Sequence, residues 1–227
     1  SNVNSPAVDA LQNAVDHPAG GVLIFWSPFS SGKTWAMRDL TKRIQLESLR
    51  IAIYLDGKSP DLALLFDEWL RRSLGMPPVG DIVQLIPRQS STTEPNRSTI
   101  IFIDHFEDLM KLKGAEETIR GLARESFDSK QNFFKVVLSV AKIHQVQEIL
   151  DWNGGQKMRL ACRATAARWD AARMRTLVLS QSSIKYVTSQ NEVDAVMDMA
   201  VRGGSPGQID HLVYSDSKSR RALLKAT

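Results

Sequence analysis

Cys162 is the only cysteine in 227 residues. It has no partner within the chain for a disulfide, so a reducing intracellular compartment, cytoplasmic or nuclear, is the expected home. Long apolar runs are missing too. None approaches the roughly 20 residues that span a bilayer, so no membrane partner is expected. The N-terminal SNVNSPAVDA lacks a basic stretch followed by an apolar one, and so does not read as a secretory signal. There is no internal repeat of fixed period and no long low-complexity tract, which argues against solenoids and linkers. Neither sign of charge dominates. A net charge of +4 with 24% charged residues permits an anionic partner without demanding one.

What is present alternates. After a predicted first helix from Pro6 to Val15, GGVLIFWS runs apolar and stops at turn residues, as a strand buried on both faces does. TWAMRDLTKRIQLESL follows with Met37, Leu40 and Ile44 at helical spacing. The alternation repeats with RIAIYLDG (50–57) as a strand ending on Asp56 and LALLFDEWLRRSL (62–74) as a helix. The stretch 75–98, rich in Pro, Ser and Thr, reads as a long surface loop. STIIFID (98–104), FFKVVLSV (133–140) and KMRLAC (157–162) are the remaining predicted strands, with helices near 115–127 and 143–152 between them. Strands alternating with helices predict an α/β fold, a parallel sheet covered on both faces. Beyond about residue 165 the strand signal fades into helical segments. The boundary is set near 180, giving an α/β core over 1–180 and a small helical region with a basic tail over 181–227.

The chemistry concentrates in SPFSSGKTW, residues 27–35. The phosphate-loop signature G-x-x-x-x-G-K-[ST] wants glycine first, and Ser27 stands there, followed by Pro28. The context is otherwise right, because a buried strand precedes GKT and a helix follows it. In such a loop the backbone N–H groups around Ser30, Ser31 and Gly32 and the start of the next helix, from Trp35, surround a phosphate chain. Lys33 adds a cation toward the β and γ phosphates, and the Thr34 hydroxyl suits Mg²⁺. The competing structural reading makes SGKT a polar helix start with Ser30 or Ser31 as N-cap. Downstream, IIFID ends an apolar strand on Asp104, about 70 residues after GKT, where an acid can hold the shell of a Mg²⁺ ion. Ser139 in VVLSV is a polar residue near the end of another apolar strand, within reach of a γ-phosphate or attacking water if the strand ends adjoin. A locally satisfied hydroxyl is the alternative.

With these landmarks the chain resembles the AAA+ ATPases and the related STAND and origin-recognition-like P-loop families. SPFSSGKT looks like Walker A, IIFID like Walker B, Ser139 takes the place of sensor 1, and AVRGGSPGQIDHLV (200–213) looks like the lid motif opened by Pro206. The resemblance covers roughly residues 7–214. It implies a five-stranded parallel sheet of order 5-1-4-3-2 with helices on both faces and a helical lid, ATP and Mg²⁺ as cofactors, and a homo-oligomer. Two positions depart from the pattern. His105 stands where the family usually carries a water-polarising Glu; Glu107 and Asp108 lie nearby and Glu107 can take the role, a neutral His105 is an alternative base, and a plain surface-loop His is the blander reading. Gln208 stands where the lid often has Arg. Arg120, Arg124, Arg159, Arg163 and Arg168 are all candidates for an arginine supplied to a neighbouring site.

Two functions stay open. One is an ATPase whose nucleotide state sets lid angle and assembly, acting on nucleic acid or a protein client, with Lys33, Asp104, Glu107 and Ser139 as its catalytic set. The other is a nucleotide-binding scaffold or filament subunit with little or no hydrolysis. A small-molecule kinase ranks below both, because the 75–98 stretch offers only Arg88 and Arg97. The segment 157–175 sets six basic residues against the single acid Asp170, either a solvated basic helix face or a contact for phosphates.

Overall fold

The computed structural model describes residues 6–17, 21–27, 32–47, 50–86, 98–128 and 134–152, and helical backbone at Asp194 and Asp198. Helix α1 (Pro6–Asp16) leads into strand β1 (Gly21–Trp26), helix α2 (Lys33–Gln45) and strand β2 (Arg50–Asp56). Helix α3 (Phe66–Leu74) and a short helix α4 (82–86) precede strand β3 (Ser98–Asp104). A one-turn helix α5 (Phe106–Leu109), helix α6 (Ala115–Asp128), strand β4 (Phe134–Val140) and helix α7 (Ile143–Asp151) complete the described elements.

The four strands pair in parallel in the order β1-β4-β3-β2. That is the expected order of the first four strands. The predicted fifth strand (157–162), the basic segment 157–175 and the lid with Pro206 and Gln208 lie outside the described residues, as do Ser30 and Ser31. Each strand alternates its side chains between two cores, as the two-residue pleat requires. Val22, Ile24, Ile101, Ile103, Val136 and Leu138 face a layer built by α3, α4, α5, α6 and α7. Leu23, Phe25, Ala52, Ile100, Phe102 and Val137 face α1 and α2. Both faces are covered, so the strands are apolar almost throughout, and a buried Ile or Phe contributes about 1.5–3 kcal/mol.

The stretch predicted as loop from 75 to 98 is partly helical. Ile82 and Ile86 are buried at i and i+4, and that packing turns a Pro-rich stretch into a turn of helix over 82–86. The helix predicted from Leu62 starts at Phe66 instead, because Asp61 folds 61–64 into a turn by accepting the Ala63 N–H at 3.0 Å.

Candidate functional site

The pleat decides which side chains meet. Tyr54 and Asp56 on β2, Asp104 on β3 and Ser139 on β4 share the sheet face that α2 covers, and all sit at or near the C-terminal strand ends. Register brings them into line, with Asp56 opposite Asp104 and Phe25 opposite Ser139. Ligands of open parallel α/β sheets gather at this edge.

Helix α2 starts there. Gly32 adopts φ +92°, a conformation that side-chain-bearing residues rarely take, and its carbonyl accepts the first helical bond from Ala36 at 2.8 Å. Gly32 at the N-cap has no side chain to cap the helix, and no acid stands in its first turn. The N-terminal amides and the positive end of the helix dipole therefore favour an anion. Lys33 is buried, and its ammonium donates to the Ser27 carbonyl at 2.5 Å. Burial lowers its pKa, while the charges of Glu107 and then Asp104 oppose that shift. Ser27 is itself buried at the start of the loop, its N–H donating to the Val140 carbonyl at 3.4 Å. Trp35, also singled out by sequence, lies in the first turn of α2 and is 52% exposed.

Asp104 is the hub. It is 1% exposed, and Oδ1 accepts from Ser139 Oγ at 2.5 Å and from the His105 N–H at 3.0 Å. Oδ2 accepts from the Tyr54 hydroxyl at 2.9 Å, and the Thr34 side chain lies near enough to the same carboxylate to help hold its pKa down. Burial pushes the Asp104 pKa up, but the Ser139 bond, the Thr34 hydroxyl, the nearby His105 and the Tyr54 bond together bring it below its ordinary value. The carboxylate is ionised at neutral pH. Tyr54 is shifted the other way, because burial and the Asp104 charge hold its phenol protonated.

His105 takes φ +52°, a left-handed backbone that costs about 1 kcal/mol for a residue with a side chain. The kink turns the chain from β3 into α5. His105 Nδ1 lies 2.9 Å from Asp56 Oδ1, so its ring is tied toward the β2 edge. Glu107, one residue into α5, is half-buried. Its Oε2 is enclosed with no hydrogen-bond partner among the described residues, and burial raises its pKa. Sequence reasoning singled out Lys33, Thr34, Asp104, Glu107 and Ser139, and the structure brings all five to one sheet edge. It passed over Tyr54, Arg38 and Asp56 as members of the site. Asp56 gave a signal, since it ends an apolar strand just as Asp104 does. Arg38 lies one helical turn after Thr34, with its guanidinium 5.0 Å from the centre of the Tyr54 ring and 3.7 Å from Asp56.

No family model matches the sequence, and no curated protein matches it significantly. Solved structures do match. The Aeropyrum pernix ORC1 protein, solved in complex with DNA, superposes with a TM-score of 0.58 at 15% identity over 95% of this chain and 58% of its own. The fold is that of the ORC1/Cdc6-type AAA+ ATPases. A Walker-type ATPase of Pyrococcus abyssi gives 0.55 at 13% identity over 91% of this chain and 65% of its own. Cdc6p from Pyrobaculum aerophilum gives 0.51 at 13% identity over 96% of this chain and 61% of its own. The chain therefore spans about three-fifths of the length of these AAA+ proteins. No helix among the described residues is long and apolar enough to cross a membrane.

Proposed function

We propose that this chain is an intracellular ATP-binding switch, which holds the triphosphate on the β1–α2 loop and the N-terminus of α2. The observation that carries this reading is the convergence at one sheet edge of Lys33 and Thr34, at the start of α2, with the buried Asp104 carboxylate at the end of β3. Residues about 70 positions apart, each at the end of its own apolar strand or loop, converge as a phosphate and metal site requires. Lys33 reaches the β and γ phosphates by leaving the Ser27 carbonyl. Thr34 and Asp104 are the residues to hold Mg²⁺, and a hydroxyl beside an ionised carboxylate is the hard oxygen donor set that Mg²⁺ takes. Asp104 already accepts from Ser139, the His105 amide and Tyr54, which leaves one position on Oδ2 for a metal held through coordinated water. When bound, Mg²⁺ neutralises charge on the β and γ phosphate oxygens.

Hydrolysis adds water to the γ-phosphorus as the bond to the β–γ bridging oxygen breaks. Glu107 is the acid that takes the water proton in this reading, with Ser139 near the γ-phosphate. Its enclosed Oε2, unpartnered among the described residues, supports the role, whereas His105 is engaged with Asp56. Nucleotide state would then govern assembly of copies and a DNA contact, a role suggested by the DNA-bound ORC1 likeness and the mildly basic chain. A second reading, a nucleotide-held scaffold with slow or absent turnover, draws its support from His105 in the place of a carboxylate.

ATP binding by calorimetry and phosphate release on one preparation test both. Lys33→Ala should weaken ATP binding by about 100-fold or more, and Glu107→Gln should keep binding while slowing release about 100-fold. A parent protein that binds ATP and releases no phosphate leaves the scaffold reading. Absence of ATP binding in the parent sinks both.

A further inference from the structure

The tryptophans among the described residues are not used alike. Trp26, Trp69 and Trp152 are partly buried against the core that α3 to α7 build, and Trp69 and Trp152 meet Phe66 and Phe106 ring to ring. Trp35 belongs to neither core, and it is the one aromatic among the large apolar side chains exposed on the described surface. A solitary exposed apolar side chain is ordinary. What sets Trp35 apart is its place.

It is the third residue of α2, two after Lys33, in the turn that precedes the first helical bond, from the Ala36 N–H to the Gly32 carbonyl. Successive side chains turn by about 100° around a helix. Lys33 is buried in the field of Glu107 and Asp104, and Thr34 lies by the Asp104 carboxylate. Trp35 looks away from the sheet, on the exposed stripe that it shares with Arg38 and Lys42. A triphosphate whose γ end lies by Asp104, Ser139 and Glu107 crosses the N-terminus of α2 and brings its nucleoside end out on the solvent side of that first turn. The Trp35 ring is the flat apolar surface standing at that exit.

We propose that Trp35 determines specificity for the nucleoside half of the ligand, its indole stacking on the base. This inference rests on the nucleotide-binding reading above. Stacking needs a π-face and no hydrogen-bond partner, so it favours a large base over a small one without reading its edge. The site therefore takes a purine nucleoside triphosphate ahead of a pyrimidine one. Inorganic tripolyphosphate, which keeps the phosphate chain and has no base, gains nothing from the indole.

Calorimetry in Mg²⁺ measures the affinities of ATP, UTP and tripolyphosphate for the parent, Trp35→Ala and Trp35→Phe. The side chain is exposed on a helix, where alanine is the better helix former, so both variants should fold as the parent does. Trp35→Ala should weaken ATP about tenfold and UTP about threefold, with tripolyphosphate at the parent value, and Trp35→Phe should recover most of the ATP affinity. ATP and tripolyphosphate weakened alike in Trp35→Ala overturns the inference and makes Trp35 a support for the phosphate loop. Unchanged ATP affinity overturns it and leaves the indole as a surface for another macromolecule. A parent that binds tripolyphosphate and not ATP also overturns it, with the phosphate site still standing. A parent that binds neither overturns the nucleotide reading and this inference together.

Discussion

Strand β4 carries two polar residues on the face that α1 and α2 cover, Lys135 near its start and Ser139 near its end, with Val137 between them. The two ends of the sheet treat charge differently. At the start, the buried Lys135 ammonium donates to the carbonyls of Val15 and His17, at the C-terminus of α1 where the helix dipole is negative. Arg50 closes the outside of the same corner by pairing with Asp16 and Glu47, each at 2.5 Å. At the other end, the buried Lys33 has one carbonyl and two carboxylates around it, Glu107 among them with an oxygen that bonds nothing described. One lysine holds a helix down. The other stands in a field of opposite charge beside a helix N-terminus, which is how a ligand site differs from a brace.

The largest effect expected separates the two lysines. Lys135→Ala removes the donor from the α1 carbonyls and opens a cavity beneath the helix, and should lower unfolding free energy by about 2–4 kcal/mol in urea titrations. ATP affinity of the folded protein should stay at the parent value. Lys33→Ala should behave in reverse, losing ATP binding in a protein that still folds. Loss of ATP binding in folded Lys135→Ala would break the distinction between the two ends.

A smaller effect sharpens the functional end. Gly57 follows β2 directly and donates its N–H to the Asp104 carbonyl at 2.9 Å. A Cβ added there would lie 2.5 Å from Leu109 Cδ1 and 2.8 Å from that carbonyl oxygen. Backbone cannot yield as a side chain does, so Gly57→Ala should cost about 1–3 kcal/mol and displace Asp104. ATP affinity should fall severalfold along with stability. A variant that loses stability while binding ATP as the parent does would show that the site tolerates movement of its hub.

These contrasts bear on what the sequence discloses. The loop, the strand ending on Asp104 and the strand carrying Ser139 are legible because each joins an apolar run to a polar end, a pattern that local burial imposes. Tyr54 was hidden inside such a run. Its side of the pleat follows from Asp56 two residues on, but pairing with Asp104 depends on strand order and register, which no local pattern contains. Arg38 looks like one more exposed helical cation until Tyr54 is known to lie under it. The turn of helix over 82–86 was missed for the opposite reason, since flanking Pro and Gly outweighed two isoleucines whose burial only tertiary packing reveals. Glu107 was singled out because the family pattern asks for an acid after Asp104. What sequence left open, and the structure supplies, is that His105 turns away toward Asp56.

The mildest test uses pH on the structural lysine. Burial lowers the Lys135 pKa from the ordinary 10.5 to about 8, against the opposing pull of Asp16. A lowered lysine pKa means that the folded state carries its charge at a cost, present in full below pH 8. Above that pH the folded protein releases the proton while the unfolded chain keeps it up to about 10.5. The unfolded state then binds more protons, and stability rises with pH across the interval. Between about pH 7 and 9 the gain from this one group should be about 1 kcal/mol. Lys135→Met, which keeps the aliphatic stem, should lack that increment, so the difference between parent and variant isolates it from every other titration. A parallel pH dependence in the two proteins would mean that the ammonium at the α1 terminus is stabilised by its carbonyls as well as it would be by water.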